Sequence, residues 1–135
     1  MTPQQRQRFD ELMEEAIDNL PPALADLIEE VPVIVLDRPT PDMLRSIGID
    51  PGDSKAADEL CGLHTGTAFT EASLERPELS SNIHLFRNGI VDLAGGWDQP
   101  DADDAIYEEI MVTLLHEIGH QFGLDEDDLE RLGYD

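Results

Sequence analysis

Residues 114–124 read Leu-Leu-His-Glu-Ile-Gly-His-Gln-Phe-Gly-Leu, which predicts a helix with two chemically different faces. On a helix of about 100° per residue, His120 lies about 40° from His116, and Glu117 lies about 100° from it. These three side chains therefore share one arc of the helix. The opposite arc collects Tyr107, Met111, Leu114, Leu115, Ile118 and Phe122. The sequence predicts a long amphipathic helix with one face in a core and the other toward a cleft.

Two histidines four residues apart, with a glutamate after the first, form a metal-site pattern. On one helix face, His116 and His120 can bind a single zinc ion. Glu117 would then lie beside the metal and take a proton from an activated water. The alternative is a solvated polar face on an ordinary helix. Gly123 favours the metal site, because it lets the chain leave the helix sharply and fold back toward the ion.

The chain carries 31 acidic residues against 8 basic ones, a net charge of −23. This charge would repel nucleic acids and anionic membranes, so neither is an expected partner. The acids concentrate in residues 98–109 and 125–135, on both sides of the histidine motif. Solubility, or adaptation to a salty or acidic setting, is the simplest explanation. The functional explanation is an acidic rim that attracts cationic segments of a peptide or unfolded polypeptide substrate.

Length and cysteine content predict a small protein of the cytoplasm. At 135 residues, we expect one domain over residues 1–135 with one modest core. No apolar run approaches the roughly 20 residues that span a bilayer. Residues 1–6 lead into charged sequence rather than into the apolar segment of a signal peptide. The single cysteine, Cys61, excludes an intramolecular disulfide and fits a reducing compartment.

Periodicity and turn signals in the first part of the chain predict two helices and a strand. A capping box starts a helix at Thr2, and Pro21 ends it. A shorter helix is expected over residues 23–30. The β-branched run at residues 31–36 predicts a strand, and residues 40–48 predict a short helical turn.

The second part of the chain mixes predicted strands with the long helix. Residues 62–69 predict a tight hairpin, and residues 82–86 predict a strand. Asn88-Gly89 predicts a turn into a further strand at residues 90–93. The helix that carries the histidines is expected to end at Gly123.

His116-Glu117-x-x-His120-x-x-Gly123, followed by Glu126, resembles the zincin metallopeptidases. More narrowly, the chain is similar to the small bacterial "minimal zincin" family, formerly a domain of unknown function. The similarity covers most of the chain from about residue 30 onward and is most specific in its last block. The segments that carry it are Gly62-Leu63, Phe69-Thr70-Glu71, Ile83-His84-Leu85-Phe86-Arg87 and residues 114–124.

The resemblance implies a compact zincin-like domain of the α+β class, in which helices pack on a small mixed sheet and the metal-binding helix lies near the C-terminus. It also implies a zinc cofactor and peptidase activity. Position 126 separates the chain from the metzincins, which would have a histidine or aspartate there. Manganese, iron or cobalt would fit the same ligands as zinc.

A catalytic zinc ion usually has three protein ligands and a water, so the two histidines need a third partner. Glu126 is our first choice, by its spacing after Gly123 and by the resemblance. Asp125 and Asp127 are alternatives, because a one-residue difference in the turn would exchange them for Glu126. Glu130 is a further alternative, because on a short final helix it would lie one turn beyond Glu126 on the same side. Asp125 would also suit the N-cap of a short final helix.

A cysteine, two further histidines and two tyrosines are additional candidates for the site. Cys61 precedes the motif as a ligand cysteine does in peptide deformylases, but the surrounding sequence differs, so a small buried thiol is preferred. A structural role for His84 is preferred over oxyanion stabilisation from a strand. His64 is expected to be exposed in a hairpin. Tyr134 or Tyr107 would be the hydroxyl donors to a tetrahedral intermediate.

These residues predict a zinc-dependent peptidase, with Glu117 as general base and His116, His120 and Glu126 as metal ligands. The strand at residues 82–86 is expected to present an edge to an extended peptide. Two other functions use the same motif. One is a non-catalytic metal-binding or adaptor protein with structural zinc, and the other is a non-peptide amidase or deformylase-like hydrolase.

Overall fold

The computed structural model describes residues 1–65 and 82–131, without the side chains at positions 63–65, 126, 129 and 130. Helix α1 (Pro3–Asp18) begins with the predicted capping box: the Thr2 hydroxyl accepts from the Gln5 amide, and the Gln5 side chain accepts from the Thr2 amide. The apolar face of α1 is buried in the core. Helix α2 (Pro22–Ile28) follows with a proline in its first turn. Both helices confirm the predictions.

A three-stranded mixed sheet lies at the centre of the fold, in the order β1-β3-β2. Its strands are β1 (Val33–Leu36), β2 (Gly62–Thr65) and β3 (Asn82–Phe86). Strand β1 pairs in parallel with β3, and β2 pairs with β3 in antiparallel orientation. The predicted hairpin at residues 62–69 is described only as far as β2, and residues 66–69 lie outside the described part. The small mixed sheet confirms the predicted fold class.

Two short helices connect β1 to β2. Helix α3 (Pro41–Ser46) is capped by the Thr40 hydroxyl, which accepts from the Met43 amide, as the Thr-Pro start predicts. Helix α4 (Ser54–Glu59) is capped by the Asp53 carboxylate, which accepts from the Ala56 amide. The sequence does not predict α4, because six residues show too little periodicity to identify a helix.

The segment after β3 corrects the sequence prediction. Residues 90–93 were expected to form a strand, but the chain enters helix α5 (Arg87–Ala94) directly from β3. Gly89 packs so tightly against the backbone of Leu60 that any side chain would collide with it. Helical winding also buries Ile90 and Val91 together in the core. Tertiary packing therefore overrides the local turn signal of Asn88-Gly89.

Helix α5 is anchored to the N-terminal part of the chain by Arg87, whose side chain is only 14% exposed. Its guanidinium donates to both carboxylate oxygens of Asp10, at 2.9 and 3.1 Å, and to Asp37 at 3.1 Å. Arg6 binds the other oxygen of Asp37 at 2.8 Å. Burial raises the pKa of Asp37, but the hydrogen bonds from Arg6 and Arg87 outweigh it and hold that pKa below its usual value.

The longest described helix, α6 (Ala102–Phe122), carries the histidine motif and ends at Gly123, whose φ of 65° is left-handed. The last helix, α7 (Glu126–Arg131), follows after two residues. Asp125 caps it as predicted: its carboxylate accepts from the Asp128 amide at 2.8 Å. None of the described helices has the length and apolar character needed to cross a membrane.

The core forms where α1, α5 and the sheet pack against α6. Its buried arc on α6 is rotated from the predicted one toward Glu117. Tyr107 and Met111 are only half-buried, whereas Thr113 and Glu117 are buried. The other buried α6 side chains are Ile106, Ile110, Leu114, Leu115, Ile118 and Gln121.

Candidate metal centre

The two motif histidines converge on one point at the exposed face of α6. Their Nε2 atoms lie 2.8 Å apart, and the ring planes meet at 71°. A tetrahedral zinc ion with bonds of about 2.0–2.1 Å separates two ligand nitrogens by about 3.3 Å. The rings would therefore open by only about half an ångström to admit an ion, a change within ordinary side-chain motion. His116 and His120 have the geometry of paired metal ligands.

Glu117 occupies a different environment from its histidine neighbours. Its side chain is only 7% exposed, whereas both histidines are exposed. Strand β2 runs along this side of α6, and a β-carbon at Gly62 would lie 3.0 Å from Cγ of Glu117 and 2.9 Å from Cγ2 of Thr113. The carboxylate is thus held between α6 and β2, beside the histidine pair rather than on the open face.

The role of Gly62 is a feature that the sequence analysis missed. The sequence identifies Gly62 only as the first residue of a predicted hairpin and as part of the family resemblance. A glycine inside a strand often marks close approach of another backbone or side chain, and that was the available signal. The strand packs against Glu117 because position 62 has no side chain.

The third metal ligand is not identified by the described residues. Within them, no three His, Cys, Asp or Glu side chains come close enough together to hold a metal ion. The Glu126 and Glu130 side chains lie outside the described part. Asp125 already serves as the cap of α7, and Asp127 is exposed. The choice of Glu126 stays a prediction.

The turn after α6 nevertheless has the form that a third ligand requires. The Gly123 and Leu124 amides both point back to the carbonyl of Gly119, and the Leu124 bond is 2.7 Å long. This closed turn reverses the chain within one turn of the helix end. Residues at the start of α7 are therefore brought back near the C-terminal end of α6, which carries His120.

Cys61 lies directly before β2 and is half-buried. Burial, with smaller effects from the carboxylates of Glu109 and Asp92, raises the pKa of its thiol. Glu109 lies seven residues before His116, and Asp92 lies 24 residues before it. Among the described residues, no group of three side chains that could hold a metal includes Cys61. The preferred interpretation, a small buried thiol, agrees with this environment in part, because Cys61 is half-buried and not fully buried.

His84 faces away from the candidate centre. Gly62 pairs with Leu85 in the sheet, and Gly62 points toward α6, so the alternating His84 side chain points to the opposite face. It is 6% exposed, and its ring lies beside that of Phe86. Burial lowers the pKa of His84, and its Nδ1 has no hydrogen-bond partner among the described residues. This buried position agrees with the preferred interpretation of His84 as a structural residue.

Tyr107 does not join the candidate centre. The Tyr107 hydroxyl accepts a hydrogen bond from Asn19 at 2.8 Å and lies nine residues before His116, about 13 Å along the helix. It links α6 to the end of α1 instead of donating at the metal. The His64 side chain and Tyr134 lie outside the described part of the chain.

The comparisons with known proteins agree with this geometry. A search of curated proteins finds no match to the chain. A family model of zincin-like metallopeptidases matches residues 28–134. That match spans most of the sequence and includes the helix on which the two imidazoles converge, so the chain belongs to the zincin-like metallopeptidase family.

Proposed function

We propose that this protein is a zinc-dependent peptidase, in which His116 and His120 hold the metal and Glu117 is the general base. The observation that carries the proposal is the 2.8 Å approach of the two Nε2 atoms beside a buried carboxylate. This contact is a hydrogen bond between the two rings, and it holds both Nε2 atoms close to the separation that a shared ion needs. Membership of a family of zinc-dependent hydrolases supports the same chemistry.

The chemistry divides between the metal and the side chains. When bound, zinc would lower the pKa of a water molecule from about 15.7 toward about 7 and polarise the scissile carbonyl. Glu117 takes the proton of the attacking water and transfers it to the leaving amine. The packing of Glu117 against Gly62 restricts the positions that its carboxylate can take, which reduces the entropy lost when the reacting groups align.

The peptide-binding strand proposed from sequence needs correction. Strand β3 is paired on both sides, with β1 and with β2, so it has no edge to offer. Within the described sheet, β2 is the edge strand next to α6. We propose β2 as the strand that pairs with an extended substrate, because this strand packs against Glu117 through Gly62.

The general base is tested by a Glu117→Gln variant loaded with zinc. Glutamine keeps the shape of the side chain but cannot accept the proton, so we expect zinc stoichiometry near that of the wild type and hydrolysis reduced by about 100-fold or more. Glu14→Gln, at an exposed position on α1, is the matched control and should retain full activity. Turnover unchanged in Glu117→Gln would refute the assignment.

The third ligand is tested by comparing Glu126→Gln with Asp127→Asn. Loss of one of three protein ligands should weaken zinc binding by about 100-fold or more in the first variant and little in the second. The coordination number measured by X-ray absorption separates the proposed enzyme from an adaptor. Three protein ligands and a water support the peptidase, and four protein ligands support structural zinc.

A further inference from the structure

The exposed face of α6 continues beyond the histidines as a regular row. Every fourth residue from position 104 to position 120 is exposed. We call this row the α6 ridge, and its members are Asp104, Glu108, Val112, His116 and His120. Residues four apart on a helix are neighbours, and each step advances about 6 Å along the axis. The ridge therefore extends the histidine pair by about 18 Å toward the start of the helix.

Val112 is the apolar member of the ridge, one turn before His116. Its side chain is 48% exposed, although most apolar residues of α6 are buried. Beside it, Tyr107 and Met111 are half-buried and complete a groove of about 350 Å³ with Asp104 and Glu108. An apolar side chain placed here would remove the surface of Val112 from water, at a gain of roughly 25 cal/mol per Å².

The two acids of the ridge are available for a cationic partner. Asp104 and Glu108 are exposed, and among the described residues neither side-chain carboxylate makes a hydrogen bond or an ion pair. Neighbouring Asp103, by contrast, is bound by Arg8 at 2.8 Å. With a net charge of −23, the chain has few cations of its own to neutralise these carboxylates. A ligand that carries lysine or arginine would supply that charge.

We infer that the α6 ridge is the substrate-binding extension of the metal site, and that it selects polypeptide segments that combine an apolar side chain with lysine or arginine. The inference rests on the proposed peptidase function. The apolar side chain packs on Val112 in the groove. The basic side chains lie opposite Glu108 and Asp104.

The spacing of the ridge matches an extended chain that crosses α6 obliquely, because each step of the ridge also turns about 40° around the helix axis. Side chains on one face of an extended peptide recur every second residue, at about 6.6–6.8 Å, and the ridge repeats at about 6 Å. A peptide whose reacting residue lies at His116 therefore brings its second residue from that point over Val112. The fourth and sixth residues reach Glu108 and Asp104. The expected recognition pattern is apolar at two residues from the scissile bond and basic at four and six.

The test uses zinc-loaded Glu117→Gln protein, which binds peptides without consuming them. Two fluorescent peptides carry the pattern on the N-terminal or C-terminal side of the scissile bond, and a third replaces their lysines by glutamate. We expect one of the lysine peptides to bind at least tenfold more tightly than the glutamate peptide at low salt. The difference should shrink as ionic strength rises, because exposed charges are screened.

Variants locate the effect on the ridge. Asp104→Lys with Glu108→Lys should abolish the preference for lysine, and Val112→Asp should weaken binding of the lysine peptide that the wild-type protein prefers. Glu14→Lys with Glu15→Lys on α1 changes the net charge by the same amount at exposed positions and is the control. An equal loss in the control would overturn the inference, since general attraction to an acidic protein would explain it. Equal affinity for all three peptides would overturn it as well.

The outcome can be separated from that of the proposed function. If wild-type protein hydrolyses unfolded polypeptides without any preference for the pattern, the peptidase stands and the ridge inference fails. If nothing is hydrolysed but the lysine peptide binds through the ridge, the peptidase proposal fails. The ridge then stands as a polypeptide-binding surface, and only its link to hydrolysis is lost.

Discussion

Replacing Gly62 by alanine should disturb the candidate centre without touching a proposed metal ligand. The added methyl group would lie 2.9 Å from Cγ2 of Thr113 and 3.0 Å from Cγ of Glu117, well inside normal contact. Thr113 is β-branched and has little rotamer freedom on a helix. Either β2 moves away from α6, or the Glu117 side chain is displaced toward the cleft.

The size of the effect follows from overpacking. Inserting one methyl group into such a contact typically costs about 1–3 kcal/mol. For a chain of this length, 1 kcal/mol corresponds to a shift of roughly 4 °C in Tm, so we expect Tm to fall by about 4–12 °C. Displacement of a general base by about 1 Å can reduce the rate by about 100-fold, so kcat should fall by tenfold or more.

Thermal unfolding, zinc titration and peptide hydrolysis measure these effects on one preparation. Zinc affinity should stay within about threefold of the wild-type value, because neither histidine contacts position 62 in the proposed arrangement. Gly52→Ala is the control: its methyl group meets only the Asp50 carboxylate, at an ordinary 3.4 Å. If Gly62→Ala unfolds at the wild-type temperature with unchanged kcat, the tight packing of β2 on Glu117 is not present in solution.

Three further outcomes are expected. Gly89→Ala should destabilise more than Gly62→Ala in denaturant titration, because its methyl group meets the Leu60 backbone, which cannot rotate away; a smaller loss would contradict the packing of α5. Asp37→Asn should cost about 1–2 kcal/mol at neutral pH. Because the folded pKa of Asp37 is lowered, its stabilisation is present above about pH 4 and is lost as the pH falls through that folded value. The two unfolding curves should therefore converge in acid, and a constant gap would count against the ion pairs. Cys61 should react with iodoacetamide at least tenfold more slowly in the folded chain than in urea, because burial raises its pKa; equal rates would show an accessible thiolate.

The elements with strong local signals were predicted well. The capping box at Thr2, the Thr-Pro start of α3 and the glycine end of α6 each depend on hydrogen bonds within a few residues, so sequence specifies them. The convergence of His116 and His120 belongs to the same class. Two residues four apart on a helix must share a face, whatever surrounds them.

The errors have a common cause. The sequence predicts a strand where α5 forms, because Asn88-Gly89 is a strong turn signal. The contact of Gly89 with the Leu60 backbone, which favours the helix, joins residues that are distant in sequence. The sequence predicts β3 as an edge strand, but β3 is central in the sheet. Strand order depends on which segments pair, and the pattern of a single segment does not show its pairing. Both outcomes were decided by contacts between distant parts of the chain.

By itself, the sequence determined the chemistry available to this protein: two histidines and a glutamate on one helix, a glycine that turns the chain back, and a large excess of negative charge. These properties follow from residue type and short spacing. Only the tertiary structure decided how that chemistry is arranged. Packing of β2 buries Glu117 while leaving the imidazoles exposed, and it turns His84 away. The reason is physical: helical periodicity sets angles around one axis, but which angle faces the core depends on what packs against it.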